Sequence, residues 1–473
     1  MLEFLETNMS LLATGLSSIV FFEASIFSYE IPLIVLWLVL GALFFTVYLN
    51  FINIRGFTHA VGLISGKITG KAGAAGEISH FQALTTAVSG TVGIGNIAGV
   101  AIAISLGGAG AAFWLAIAGF LGMSTKFCEC TLSTLYRTKH ADGSIAGGPM
   151  FYLKEGLAGL GRPRLGRVMA GFYAGCMVVG CFGIGNMFQS NQAAVILTAQ
   201  LGDLNFEYSN MVIGLLLAFA TGLVIIGGLK SIAAVTSRLV PVMLLVYLIM
   251  VVAVLGLNFD RLDDALLMIV SEAFTASGIN GGIIGALIIG FQRAVFSNEA
   301  GLGSAAIAHA AAKTDQPVSQ GMVALLEPFI DSVVVCSLTS LVIVILVILP
   351  GEATSGLSGI EMSSRAFDAA IPGSSALLSI IATLFAFSTM LAWSYYGLIA
   401  LEYLLGRSEI SGLVFKLIFL VFIVIGSTVD LKSVIEISDA LVFLISIPNL
   451  VGLYFLAPQI KRELQAYQAN NPS

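Results

Sequence analysis

Stretches of about twenty apolar residues recur from end to end of this chain, and that recurrence restricts its fold more than any other feature. A bilayer core of ~30 Å is crossed by about 20 residues of helix, and inside it only helices or closed barrels satisfy their own backbone. On that rule the chain has eleven predicted spans, near residues 31–52, 82–106, 110–135, 168–200, 210–228, 237–257, 280–311, 321–349, 375–404, 411–429 and 434–457. Composition agrees: 58% of the 473 residues are hydrophobic and only 10% are charged, where soluble proteins carry about 25% charged residues. A water-soluble globule is excluded. The predicted fold class is an all-α polytopic membrane protein. A shorter apolar stretch at 11–28 carries Glu23 and reads as a surface or re-entrant helix.

Charge placement gives the orientation. With the N-terminus outside, the cytoplasmic connections and tail hold Arg55, Lys67, Lys71, Arg137, Lys139, Lys154, Arg162, Arg164, Arg167, Lys230, Arg238, Lys313, Arg407, Lys461 and Arg462. The outside connections hold only Arg261, Arg365 and Lys432. That asymmetry follows the positive-inside rule and predicts a cell-membrane protein, of the bacterial inner-membrane kind, with its C-terminus in the cytoplasm. The net charge of −6 offers no basic domain for nucleic acid. The acidic N-terminus (Glu3, Glu6) lacks the basic region of a cleavable signal peptide. The five cysteines lie in apolar runs without CxxC spacing and read as inert buried thiols.

Two predicted spans are chemically odd. Residues 89–96 read Ser-Gly-Thr-Val-Gly-Ile-Gly-Asn, and each glycine costs a helix about 1 kcal/mol relative to alanine. Residues 296–304 read Phe-Ser-Asn-Glu-Ala-Gly-Leu-Gly-Ser, equally polar and glycine-rich. Irregular backbone at membrane depth is tolerated only where it is buried in protein or lines a cavity. Counted from the second span, the breaks fall in the first and sixth of ten helices. These are equivalent positions of a five-plus-five inverted repeat, the pattern of a secondary transporter with its site at the midplane. The domain reading is therefore an N-terminal surface segment, extra helix and cytoplasmic loop (1–81), a first five-helix repeat (82–257), a second (258–459), and a cytoplasmic tail (460–473). Glycine-rich helix packing is the simpler alternative, but Asn96, Ser297, Asn298 and Glu299 are too polar for packing faces alone.

The block 291–321 contains Arg293-Ala-Val-Phe-Ser-Asn-Glu-Ala-Gly-Leu-Gly-Ser304 and then Gln316-Pro-Val-Ser-Gln-Gly321. It closely resembles the "RG-x-x-SNEAG-x-GS" block of the alanine or glycine:cation symporter family, also called sodium:alanine symporters. Ser89–Asn96 with Gly99, the Gly107–Trp114 run and Gly147–Tyr152 match that family as well, and the resemblance extends from about residue 35 to 459. Ala294 departs from the glycine that many members carry after the arginine. The resemblance implies a leucine-transporter-like fold with one additional N-terminal helix. It also implies import of alanine or glycine with Na+ by alternating access, with no cofactor beyond the coupling ion. An H+-coupled or other small-solute symporter of the same fold, or an uncoupled channel or facilitator, remains an alternative. An enzyme is not indicated: HExxH and GxSxG are absent, and Gly93-x-Gly95-x-x-x-Gly99 misses dinucleotide spacing.

Freed amides at a half-helix end suit a carboxylate. By resemblance, the amides around Ile94 and Gly95 receive the substrate carboxylate, and Phe296 and Ser297 offer carbonyls to its ammonium. Thr91 and Gln189 join the candidate substrate residues, and Trp393 with Phe296 walls a pocket sized for very small side chains. The carbonyls of Ser89 and Val92 with the hydroxyls of Ser388 and Thr389 are the implied Na+ site, and Asn96 is a further candidate ligand or a cap. Glu299 reads either as a structural acceptor for freed amides or as an ammonium or proton partner. Asn298 lies beside it in the same break. Glu129, Glu327, Asp331 and Glu402 are further intramembrane acids. Lys126 and Glu129, three apart, are positioned to neutralise each other. Arg293 is expected to pair with an acid or to line the outer vestibule, and His309 reads as structural.

Overall fold

In the computed structural model, the described residues are 14–26, 29–68, 75–202, 206–275, 282–351 and 359–470. The predicted apolar segments are helical. They comprise α1 (Leu33–Tyr48), α2 (His80–Thr91), α3 (Ala98–Gly107), α4 (Gly110–Leu135), α5 (Pro149–Gly159), α6 (Pro163–Gly180) and α7 (Phe188–Leu201). After these come α8 (Ser209–Ile225), α9 (Gly228–Leu257), α10 (Leu262–Ala273), α11 (Gly282–Asn298) and α12 (Ala305–His309). The last are α13 (Pro317–Ile348), α14 (Ile360–Ala370), α15 (Ser374–Leu405), α16 (Glu409–Thr428) and α17 (Leu431–Asn470). Among the described residues seven helices are long and apolar enough to cross a membrane, the pair α2/α3 forms one further span bent by 59°, and α1, α8 and α11 are shorter apolar helices.

One expectation is corrected. The 11–28 stretch is not helical throughout: residues 14–20 form a helix, but Glu23–Ile26 pairs antiparallel with Tyr29–Pro32. The segment alternates polar and apolar residues there, which suits a strand period of two. Positions 11–13, 27 and 28 lie outside the described residues. The span at 280–311 is interrupted where the sequence places its break: α11 ends at Asn298, and α12 resumes only at Ala305.

The helices sort by their outer faces. α8 exposes Leu215, Leu216, Phe219 and Leu223, and α9 exposes Val242, Leu245, Ile249 and Val252. Exposed apolar faces of that size are untenable in water and belong against lipid. The chain is a multi-pass membrane protein. By contrast α2, α3, α4, α12 and the middle of α15 are buried along most of their length, including their polar residues. The site therefore sits in the protein interior, shielded from lipid by the outer helices.

Small residues allow the inner helices to approach. Gly290 of α11 lies on α4, where an added Cβ would stand 2.6 Å from Trp114 Cβ, 2.7 Å from the Ala111 carbonyl and 3.0 Å from the Leu115 nitrogen. Two of these neighbours are backbone and cannot rotate away. Gly290→Val is expected to separate α11 from α4 and to destabilise the purified protein by about 1–3 kcal/mol, the usual cost of overpacking. Thermal unfolding in detergent, compared with wild type, reads this directly.

Candidate functional site

The first break begins where α2 runs out of backbone partners. Ser79 and Gln82 form a reciprocal capping box at its start, and the last regular bond runs from Val92 N to Val88 O. Gly93 then donates to Thr91 O and to Asn96 Oδ1, at 2.9 and 3.0 Å, and Ile94 N donates to Gln189 Oε1 at 3.1 Å. In a continuous helix those two amides would serve the carbonyls of Ser89 and Gly90. Asn96 N turns to Gly93 O, which releases the Val92 carbonyl as well. The Thr389 hydroxyl on α15 donates to the freed Ser89 carbonyl at 2.9 Å. Gly93 makes this convergence possible, because a Cβ there would lie 2.4 Å from Thr389 Oγ1 and 3.0 Å from Gln189 Oε1.

The second break follows the same logic. Ala300 N donates to Asn298 Oδ1 and Gly301 N to Glu129 Oε1, each at 2.9 Å. The carbonyls four residues earlier, Phe296 and Ser297, thereby lose their helical donors. Glu299 is held at φ +59, a left-handed backbone uncommon outside glycine. Its carboxylate accepts from Trp393 Nε1 at 2.8 Å and from the Ser304 hydroxyl across the break. Both its oxygens are thus used as structural acceptors. Asn449 donates to Glu129 Oε1 at 2.7 Å and to the Gly301 carbonyl at 2.8 Å, which completes the turn.

Asp331 joins the two breaks. Its Oδ1 accepts from Asn96 Nδ2 at 2.6 Å and from Ser297 Oγ at 3.0 Å, and its Oδ2 accepts from Ser332 Oγ. It sits in a π-helical turn of α13, Phe329–Cys336, a local widening often found at functional sites. A buried acid in an apolar run was its only sequence signal, and nothing in the sequence named its two partners.

The structure thus draws together most of the predicted site residues. Across from Gly95, whose Cβ would meet only the Phe296 ring at 3.8 Å and Ser297 Cα at 3.9 Å, the second break faces the first. The Phe296 ring stands edge-on to Phe188, with centroids 4.9 Å apart, and lies 5.1 Å from the Arg293 guanidinium. Trp393 is fully buried against Gly185, where a Cβ would fall 2.1 Å from its ring. Others point elsewhere. Ser388 bonds its own helix at Phe385 O, Thr91 does the same at Ala87 and Val88, and Asn298 reaches sideways to Ser332. Lys126 pairs with Glu327 at 3.1 Å rather than with Glu129, whose Oε1 accepts from the second break. Arg293 pairs with Asp439.

Two broken helices facing each other inside a helical bundle define a secondary transporter. The leucine-transporter type of fold is confirmed by the structure of MhsT in complex with L-phenylalanine: TM-score 0.56 and 13% identity, over 83% of this chain and 99% of that one. The sodium:alanine symporter family profile matches residues 15–473, and the chain belongs to that family. It is 40% identical to the sodium/alanine symporter AgcS of Methanococcus maripaludis, over 91% of this chain and 93% of the relative. It is 32% identical to the amino-acid carrier protein AlsT of Bacillus subtilis, over 88% and 85% respectively. The chain is a transporter and not an enzyme.

The Glu299 arrangement is testable. Trp393→Phe keeps an aromatic ring beside Gly185 but removes the donor to Glu299. A buried acceptor left unpaired costs about 1–3 kcal/mol, so the variant's melting temperature should fall. Wild-type stability in Trp393→Phe would exclude this role for the indole.

Proposed function

We propose that the chain imports alanine, and glycine with it, together with Na+ by alternating access. The observation that carries this reading is the pairing of two buried backbone breaks that face each other at Gly95, Phe296 and Ser297, with carbonyls freed from helical pairing on both. The substrate ammonium is assigned to the carbonyls of Phe296 and Ser297, and its carboxylate to the amide side of the first break at Gly95. Ile94 N is already engaged by Gln189 Oε1. Carboxylate binding there requires the Gln189 amide to turn, presenting its NH2 group instead of its oxygen. Thr91 contributes its backbone next to them. The Na+ ligands are the carbonyls of Ser89 and Val92 with the Thr389 hydroxyl; the Ser388 hydroxyl, which donates to Phe385 O of its own helix, joins them on turning toward the ion, and Asn96 adds an amide oxygen nearby. Such neutral oxygens are hard donors suited to a hard cation.

The architecture proposed for this cycle has eleven spans. The seven long helices, the bent α2/α3 pair and the three shorter apolar helices together supply that number. Residues 82–257 and 258–459 form the two inverted repeats, 1–81 the preceding segment and 460–473 the tail. In this reading the membrane is of the bacterial inner-membrane kind, with the N-terminus outside and the C-terminus in the cytoplasm, an orientation that the charge asymmetry supports.

Reconstituted protein should accumulate labelled alanine when an inward Na+ gradient is imposed and should fail to do so with a pH gradient alone. Accumulation driven by the pH gradient without Na+ would overturn the coupling assignment. Glycine should compete and leucine should not, since Phe296 and Trp393 leave no room for a branched side chain. Thr389→Val preserves shape and removes the hydroxyl oxygen. It should raise the Na+ concentration needed for half-maximal uptake by about tenfold, equivalent to about 1.4 kcal/mol. An unchanged Na+ requirement in that variant would move the ion elsewhere.

A further inference from the structure

Away from the two breaks, a chain of polar side chains runs from the surface into the fully buried interior. His80, half-buried at the first position of α2, donates from Nδ1 to Gln320 Oε1 at 2.5 Å. The NH2 group of Gln320 in turn donates to Nδ1 of His309, at the end of α12. With Nδ1 accepting, the neutral His309 ring carries its proton on Nε2, which faces Glu327 Oε2 across 3.6 Å. Glu327 Oε1 holds Lys126 at 3.1 Å. Gln320, His309, Glu327 and Lys126 are all fully buried, and neither His309 Nε2 nor Glu327 Oε2 completes a hydrogen bond.

The bridge has a strict proton count. One primary amide offers one oxygen and one NH2 group, so one imidazole must donate to it while the other accepts. An imidazolium presents N–H at both nitrogens and can only donate. His80 and His309 therefore cannot both be imidazolium while Gln320 joins them. The observed arrangement has His80 donating. Rotating the amide by half a turn lets His309 donate, and its Nε2–H then meets the Glu327 carboxylate as a charged pair.

We propose that His80, Gln320 and His309 form a proton-binding site that holds one proton at either ring, tying together the ends of the two broken helices. The placement gives the proton mechanical leverage, because α2 is the first half of one broken helix and α12 the second half of the other. The same end is closed by backbone pairing between Ile78 and Lys313, and by Arg137 donating to the carbonyls of Ala75, Ala310, Ala312 and Thr314. The groups that act on His309 are Glu327 and Gln320 from α13 and His80 from α2; Glu327 is in turn surrounded by Lys126, Glu129 and Cys130 from α4 and Tyr396 from α15. A proton arriving at His309 gives Glu327 a second cation and weakens its hold on Lys126. A second proton on the pair breaks the Gln320 bridge, so separation of α2 from α12 becomes sensitive to pH.

The chain has four histidines, so nitrogen-labelled histidine can be assigned by single His→Gln variants in nanodiscs. Between about pH 8 and about pH 5, the range of histidine titration, the wild-type His80–His309 pair should gain one imidazolium in total. In His80→Gln the proton should reside on His309, and in Gln320→Leu both rings should become imidazolium. Two imidazoliums in the wild type, or a His309 that stays neutral throughout in His80→Gln, would overturn the proposal. As a second readout, the pH dependence of Na+-driven alanine uptake should be lost in His309→Gln, and its retention would also overturn it. The ring titration is read without substrate, so its failure leaves the Na+–alanine assignment standing. Failure of alanine transport would equally leave the titration result intact.

Discussion

A polypeptide in hydrocarbon has no water to satisfy its backbone, and every interruption of a helix must be answered by other protein groups. This chain interrupts two helices and supplies the answers from four neighbours. Gln189 of α7 takes the Ile94 amide, Thr389 of α15 reaches the Ser89 carbonyl, Glu129 of α4 takes the Gly301 amide, and Asn449 of α17 takes the Gly301 carbonyl. The helices are arranged so that these side chains arrive together. Carbonyls at Gly90, Val92, Phe296 and Ser297 are left without their helical donors, and free carbonyl oxygens are the kind of group that accepts a cation or an ammonium.

Ionised groups in the interior obey the same economy. Lys126 with Glu327, and Arg293 with Asp439, are cation–anion pairs joining helices far apart in sequence. Removing one member of such a pair typically destabilises by about 3–5 kcal/mol, because the other charge is stranded. These pairs therefore fix which helices are neighbours more than they add net stability. Asp331 does related work with neutral partners. By accepting from Asn96 and Ser297 it links the two breaks directly, so a shift of one is felt by the other. A transporter needs that link if ion and substrate are to promote each other's binding reciprocally.

Motion has to occur where the packing permits it. The outer helices α8, α9 and α16 present apolar faces to lipid and can slide against it at little cost. The closed end near Arg137 is different, because four carbonyls from two chain segments converge on one guanidinium. Opening there must release several bonds at once, which favours a two-state change over gradual loosening. The helix breaks supply the hinges, since backbone already freed from helical pairing can rotate without breaking a ladder of hydrogen bonds.

Much of this was legible in the residues alone. Apolar runs of membrane length dictated the helices, because hydrocarbon thickness sets segment length whatever the packing. Glycine-rich polar stretches marked both breaks, since no simple lipid-facing helix tolerates them. The 23–32 hairpin escaped because a short apolar stretch with one acid fits a surface helix as well as a strand pair. Partner choice was not legible either. Lys126 lies three residues from Glu129 and yet pairs with Glu327, about two hundred residues away, while Glu129 accepts from Gly301. Local spacing gives only the neighbours on one helix. Which buried acid meets which cation, which amide meets Gln189, and that Gln320 stands between His80 and His309 depend on how helices distant in sequence cross, and only the tertiary structure decides that.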